Sequence, residues 1–241
     1  MATTMEDIIY DEMIDSFCAE EIMKKAAKAQ CIYIFVEGDS EEAIFQTLLE
    51  ECGLDFEKHG IVVANYNGIG NLRSSIRLLR KTLSHDRPII VTYDDDRPGK
   101  RETQHINDKL ITLFKIPQAP VVKYPNGSAG GSLEEAFPPE LFIESSFKCD
   151  VILKSNQSLR ENFSTIFNAR EPWFSQLANF VEARGIKAGS INKIRLAEHM
   201  AESCDPIPET FRELAKVALS LREQHPVKSP NDVDLDFLND R

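Results

Sequence analysis

The chain has 241 residues, 42% of them hydrophobic, which suits one large folded domain or a compact domain with an appendage. Its formal net charge of −11 excludes a protein that coats nucleic acid non-specifically, because that affinity comes from basic surface displacing counterions. No signal peptide and no apolar run near the roughly 18 residues of a membrane helix is present, so a soluble, cytoplasmic protein is expected, with its five scattered cysteines as reduced thiols rather than a disulfide or zinc framework.

Residues 5–28 place Ile8, Ile9, Met13, Ile14, Phe17, Ile22 and Met23 at helical spacing, which predicts an N-terminal amphipathic helix. From residue 30 short Val/Ile-rich runs alternate with helical patterns. Strands are predicted over 32–36, 61–65, 88–93 and 120–123, and helices over 40–52, 70–84 and 102–114. Such alternation predicts an α/β fold: a Rossmann-like parallel sheet flanked by helices on both faces. Gly53 and Gly60 punctuate the first crossover, and Ser40 is expected to cap the helix that carries Glu41 and Glu42. Pro125 to Gly131 reads as a loop, and Pro138-Pro139 opens a short helical stretch. Beyond about residue 148 helical patterns dominate, over 176–184, 191–201 and 208–223. The expected organisation is an N-terminal helix (1–29), an α/β domain (30–148), a helical extension that completes it (149–224) and an acidic tail (225–241).

Two predicted strands run straight into carboxylates. The first, Ile32 to Val36, continues as Glu37-Gly38-Asp39-Ser40-Glu41, and the third continues as Asp94-Asp95-Asp96. If these strands are parallel neighbours, both clusters open onto one edge of the sheet, where open α/β sheets bind ligands. So many carboxylates need a cationic partner, and hard oxygen donors suit Mg2+ or Mn2+. Glu37 sits where the chain leaves the sheet, and Glu41 lies in the first turn of the next helix. Asp39 and Glu42 read as surface charge at a helix N-terminus. Extended-chain parity sends Asp94 and Asp96 to one side and Asp95 to the other, which assigns Asp94 and Asp96 as the ligand pair and Asp95 to the surface. Ser132 and Glu134, in Gly130-Gly131-Ser132-Leu133-Glu134-Glu135, either join the same edge or form a capping box opening a short helix. The loop Gly68-Ile69-Gly70 either offers N–H groups to a phosphate or is an ordinary strand-to-helix turn. Basic residues group at Arg73, Arg77, Arg80 and Lys81 and at Arg97, Lys100 and Arg101. The five histidines show no metal-ligand spacing.

Taken together, Glu37-Gly38-x-x-Glu41 followed by Asp94-x-Asp96 in this β/α context resembles the TOPRIM domain. The segment 60–72, Ser132-x-Glu134 and Lys193-Ile-Arg-Leu-Ala197 bring it closer to the nucleases of the OLD (overcoming lysogenization defect) family. That resemblance implies a divalent-metal-dependent nuclease hydrolysing DNA, or RNA, by a two-metal mechanism. Glu37 would be a ligand and general base. Glu41, Asp94, Asp96 and Glu134 would hold one or two Mg2+ or Mn2+ ions with Ser132 in support, and Lys193 or Lys187 would stabilise developing charge. From the loop and the basic grouping themselves, Gly68, Gly70, Arg97 and Lys100 are the expected substrate contacts. OLD nucleases usually carry an ABC-type ATPase, and no GxxxxGK[ST] occurs in this sequence. The expectation is a stand-alone nuclease, or the effector subunit of an anti-phage system with a separate ATPase and a propensity to self-associate. The alternative is a regulatory subunit of the same fold that binds metal or nucleotide without turnover.

Overall fold

The computed structural model describes residues 30–82, 85–153 and 155–227. The expected helix over 5–28 and most of the expected tail, residues 228–241, lie outside the described residues. Four strands, β1 (Ile32–Val36), β2 (Ile61–Asn65), β3 (Ile89–Asp94) and β4 (Ile111–Ile116), pair in parallel in the order β2-β1-β3-β4. β1 is buried at every position, as a central parallel strand covered on both faces must be.

The pleat of β1 divides two cores. Ile32, Ile34 and Val36 face α1 (Asp39–Glu51), which buries Ile44, Phe45, Leu48 and Leu49 against them. Tyr33 and Phe35 face the other way, with Ile89 and Val91 of β3 beside them. The short α2 (Phe56–His59) ends on Gly60 at φ +55, a left-handed conformation that glycine adopts without strain, and releases the chain into β2. After β2 the helix α3 (Leu72–Thr82) closes the second face with Leu72 and Leu79. α4 (Arg97–Thr103) follows β3 and lies beside α3, tied to it by Arg73, whose guanidinium donates to the Glu102 carbonyl at 3.4 Å.

The first face is much the larger. A two-stranded antiparallel ribbon of β5 (Val122–Lys123) and β6 (Ala129–Gly130) leads through a 3-10 turn (Leu133–Ala136) into α5 (Pro139–Ser146), α6 (Gln157–Ile166), α7 (Trp173–Glu182), α8 (Lys193–Ser203) and α9 (Glu209–Gln224). Their apolar sides continue the core of the first face without a break, through Phe142, Phe163, Trp173 and Phe180. α8 and α9 pack directly on α1, and Phe211 of α9 meets Phe45 edge-on at 5.7 Å between ring centres.

Several expectations need correction. The helix over 102–114 is instead α4, a loop and strand β4, so the fourth strand is 111–116 and residues 120–123 belong to the ribbon. Ile106 and Ile111 imitate a helical stripe, but Asp108 makes a turn by accepting from the Leu110 amide at 2.9 Å, and Ile111-Thr-Leu-Phe-Lys-Ile116 then pairs with β3. Ser40 is not the cap of α1. The helix begins at Asp39 with Gly38 at the N-cap, and the Gly38 carbonyl accepts from the Glu42 amide at 3.1 Å. The helix over 157–166 has no counterpart among the predicted elements.

Candidate active site

Glu37 and Asp94 leave adjacent parallel strands at the same edge, since Phe35 of β1 registers with Val91 of β3. Beneath them the strands are stitched twice. Thr92 donates its hydroxyl to the Phe35 carbonyl at 2.9 Å, and Tyr66 donates to the Thr92 carbonyl at 2.9 Å. The loop after β2 closes over Glu37: the Gly68 amide donates to the Glu37 carbonyl at 2.7 Å, with Gly68 at φ +91 and Asn67 at φ +55. The Glu37 carboxylate itself is hydrogen-bonded by the backbone of Ile69 and of Asp94. The amides of this loop therefore hold Glu37. The structure gives Gly68 and Ile69 that scaffolding role, while Gly70 lies in the 3-10 turn that follows.

Glu37, Glu41, Asp94 and Glu134 line one pocket of about 320 Å3, together with Lys193, Leu133 and Ile194. Their proton affinities record the crowding. Burial lifts Asp94 well above the usual carboxylate range, and the charges of Glu41, Glu134, Glu37 and Asp96 push it further. Burial, Glu134 and Glu37 raise Glu41 to about 7, against hydrogen bonds from its own backbone and that of Gly38. Glu37 rises through burial and Asp96, with the Ile69 and Asp94 backbone and Lys193 pulling it back. Gly38 matters sterically as well, since a Cβ there would lie 3.3 Å from Glu41 Oε2.

Lys193, the first residue of α8, reaches this pocket from the helical extension, its ammonium 3.9 Å from the centre of the Phe174 ring. Lys187 lies elsewhere, exposed at the cap of a 3-10 turn with its carbonyl accepting from Ser190. Of the two candidates only Lys193 stands with the carboxylates.

Of the triple aspartate, Asp94 lines the pocket and Asp96 does not, and Asp95 is not surface charge. It is 2% exposed and ion-paired to Lys100 at 3.0 Å and Lys115 at 3.7 Å. Gly130 packs on its carbonyl so closely that a Cβ there would fall 1.7 Å from Asp95 O. The run of three identical residues concealed this strut, because the cations that bury Asp95 come from α4 and β4. Lys100 also donates to the carbonyls of Asp95 and Ala129, so its ammonium clamps β3 to the ribbon. Asp96 caps α4, accepting from the Gly99 amide at 2.7 Å, and outweighs every other charge acting on Glu37. Arg97 is exposed beside it. Asp39 and Glu42 are exposed, both receiving the Asn65 side-chain amide, but Asp39, expected to be surface charge alone, also lines the carboxylate pocket.

Ser132 and Glu134 come together through a turn. Ser132 caps the 3-10 turn in a capping box with Glu135, and its hydroxyl lies 2.6 Å from both Glu134 Oε2 and Glu135 Oε2. Glu135 is held at a raised proton affinity by burial and by the neighbouring charge of Glu134, against hydrogen bonds from Ser132 and the Trp173 amide. Glu135, unassigned from sequence, also accepts from the Trp173 amide at 2.8 Å and so fastens the turn to α7.

The side chains of this pocket that could ligate a metal all offer oxygen, which is the chemistry of a hard divalent cation. Among the described residues no group of three or more His, Cys, Asp or Glu side chains is drawn to the spacing of a formed metal centre. The carboxylates line a common wall, and their mutual repulsion is what a cation would relieve. No helix among the described residues is long and apolar enough to cross a membrane.

Residues 32–96 match the family model "Overcoming lysogenization defect protein-like, TOPRIM domain". Among solved structures, the chain is similar to the C-terminal region of the Burkholderia pseudomallei OLD protein, at 20% identity and TM-score 0.44, covering 79% of this chain and 98% of that one. It is also similar to the C-terminal region of the Xanthomonas campestris pv. campestris OLD protein, at 14% identity and TM-score 0.47, covering 81% and 95%. No protein of curated function matches.

Proposed function

We propose that this chain, whose residues 32–96 match the OLD-like TOPRIM domain model, is a metal-dependent nuclease hydrolysing phosphodiester bonds of DNA or RNA. The observation that carries this reading is the convergence of Glu37, Glu41, Asp94, Glu134 and Lys193 on one pocket at the C-terminal edge of a parallel sheet. Glu37, Glu41, Asp94 and Glu134 would hold one or two Mg2+ or Mn2+ ions, with Asp96 and Ser132 supporting. Such ions supply charge neutralisation at the scissile phosphate and a more acidic water.

The protein side of the reaction follows from the geometry. Glu37 has a raised proton affinity and backbone donors fixing its orientation, which suits it to take a proton from an attacking water. Lys193, held over Phe174, brings a positive charge to the pocket where the leaving oxygen develops its own. Leu133 and Ile194 add apolar surface to the pocket wall.

The test is cleavage of plasmid DNA and of an RNA oligonucleotide with Mg2+ or Mn2+, comparing wild type with Glu37→Ala and Asp94→Ala. Loss of more than about 100-fold in rate, with unchanged circular dichroism, is expected. Equal cleavage by both variants would overturn the assignment. The net charge of −11 favours a second reading, a non-catalytic subunit of the same fold. Calorimetric Mn2+ binding without cleavage, alone and with an added ABC-type ATPase partner, would establish it.

A further inference from the structure

Face by face, the charge of this protein is unevenly spread. The chain carries a net charge of −11, yet α3 holds four cations and no anion, and α4 holds Arg97, Lys100 and Arg101 against Glu102 alone. Both helices lie together, joined through Arg73 and Glu102. Two of the cations are structural. Arg80 turns inward to the carbonyls of His85 and Arg87 and to Asp108, and Lys100 clamps Asp95. The others face out. Arg73, Arg77 and Lys81 recur every fourth residue along one side of α3, and Arg77, Lys81 and Arg97 are exposed with no ion pair among the described residues.

We propose that the outer side of α3, continued by Arg97 and Arg101 of α4, is the track along which the sugar-phosphate backbone of a nucleic acid approaches the carboxylate pocket. The proposal rests on the nuclease reading for its direction but on charge for its substance. α3 starts at the loop whose Ile69 backbone holds Glu37, so the stripe begins at the pocket edge and runs away from it. Eight residues of helix separate Arg73 from Lys81, about 12 Å, which is the axial length of three to four phosphates on one strand of DNA. The one large apolar side chain exposed on α3 is Leu78, too little for an apolar docking face, so the surface recognises charge. An acidic protein elsewhere and a basic stripe here also orient the approach, because the rest of the molecule repels a polyanion.

The test measures binding apart from cleavage. Fluorescence anisotropy of a short DNA duplex and of an RNA oligonucleotide is recorded in EDTA over a range of salt, with the full chain. Arg77→Gln/Lys81→Gln is compared with wild type and with Arg212→Gln/Lys216→Gln, which removes the same charge from α9 on the other face. The expected result is a loss of about tenfold in affinity at low salt for the α3 variant alone, with its salt slope shallower by about 2. Equal affinity and slope in the two double variants, or no binding by wild type of either probe, would overturn the proposal. Binding that follows the α3 stripe without any cleavage when Mn2+ is restored would remove the nuclease reading and leave this surface standing. Cleavage by wild type with binding indifferent to the stripe would do the reverse.

Discussion

Replacing Glu41 by glutamine should stabilise the metal-free protein, and the size of the effect can be worked out. Glu41 is raised from an ordinary 4.5 to about 7, chiefly by burial and then by Glu134 and Glu37. A folded-state value above the unfolded one means that folding favours the protonated acid. Stability is therefore complete below about pH 4.5 and is progressively lost as the pH rises through 7. Above that window the ionised carboxylate costs about 3 kcal/mol. Its favourable place in the first turn of α1 returns about 0.3–1 kcal/mol. Glu41→Gln should thus gain about 2 kcal/mol at pH 8 in EDTA, a rise of roughly 4–8 °C in Tm for a chain of this length, and nothing at pH 4. Urea unfolding at the two pH values reads it directly. A difference between variant and wild type that is the same at pH 4 and pH 8 would refute the crowding argument. Excess Mg2+ or Mn2+ should narrow the gap by stabilising wild type alone.

Three further outcomes are expected. Glu135→Ala removes the acceptor of the buried Trp173 amide and of the Ser132 amide. It should cost about 2–4 kcal/mol in urea unfolding, with the near-ultraviolet signal of Trp173 altered. Gly130→Ala sets a methyl group against the Asp95 carbonyl and should destabilise by more than about 3 kcal/mol, whereas alanine at Gly189, which meets nothing within 4 Å, should cost under about 1 kcal/mol. Lys193→Met should slow metal-dependent cleavage by about 100-fold or more, and Lys187→Met should leave it unchanged. Equal effects of the two would remove Lys193 from the reaction.

Legibility in the sequence followed the range of the interaction. Parallel strands β1, β2 and β3 announced themselves as short apolar runs, and the strand-end carboxylates Glu37 and Asp94 were readable because strand periodicity fixes where a chain exits. Parity sorted Asp94 from Asp95 correctly in direction but misjudged the destination of Asp95. Nothing local reveals that Lys100 and Lys115 wait on that side. The segment 102–114 failed for a related reason: β4 is a strand because β3 offers it an edge, and isolated spacing of Ile106 and Ile111 reads equally well as helix. Glu135 escaped notice because its partner, the Trp173 amide, belongs to a distant helix. Which of Lys187 and Lys193 stands beside the carboxylates was likewise tertiary, set by the packing of α8 on α1.

That packing also dictates when the pocket can exist. Lys193 enters it on α8, far downstream of Glu37, and is held there by Phe174 of α7. On the ribosome, synthesis proceeds at roughly 5–20 residues per second and the N-terminal strands emerge first. The acidic wall is therefore made well before its cation, and a nascent chain lacks Lys193 beside those carboxylates until α8 has been added. For the nuclease proposed above, this order would leave the acidic wall without its cation while the chain is still tethered to the messenger and ribosomal RNA that are making it.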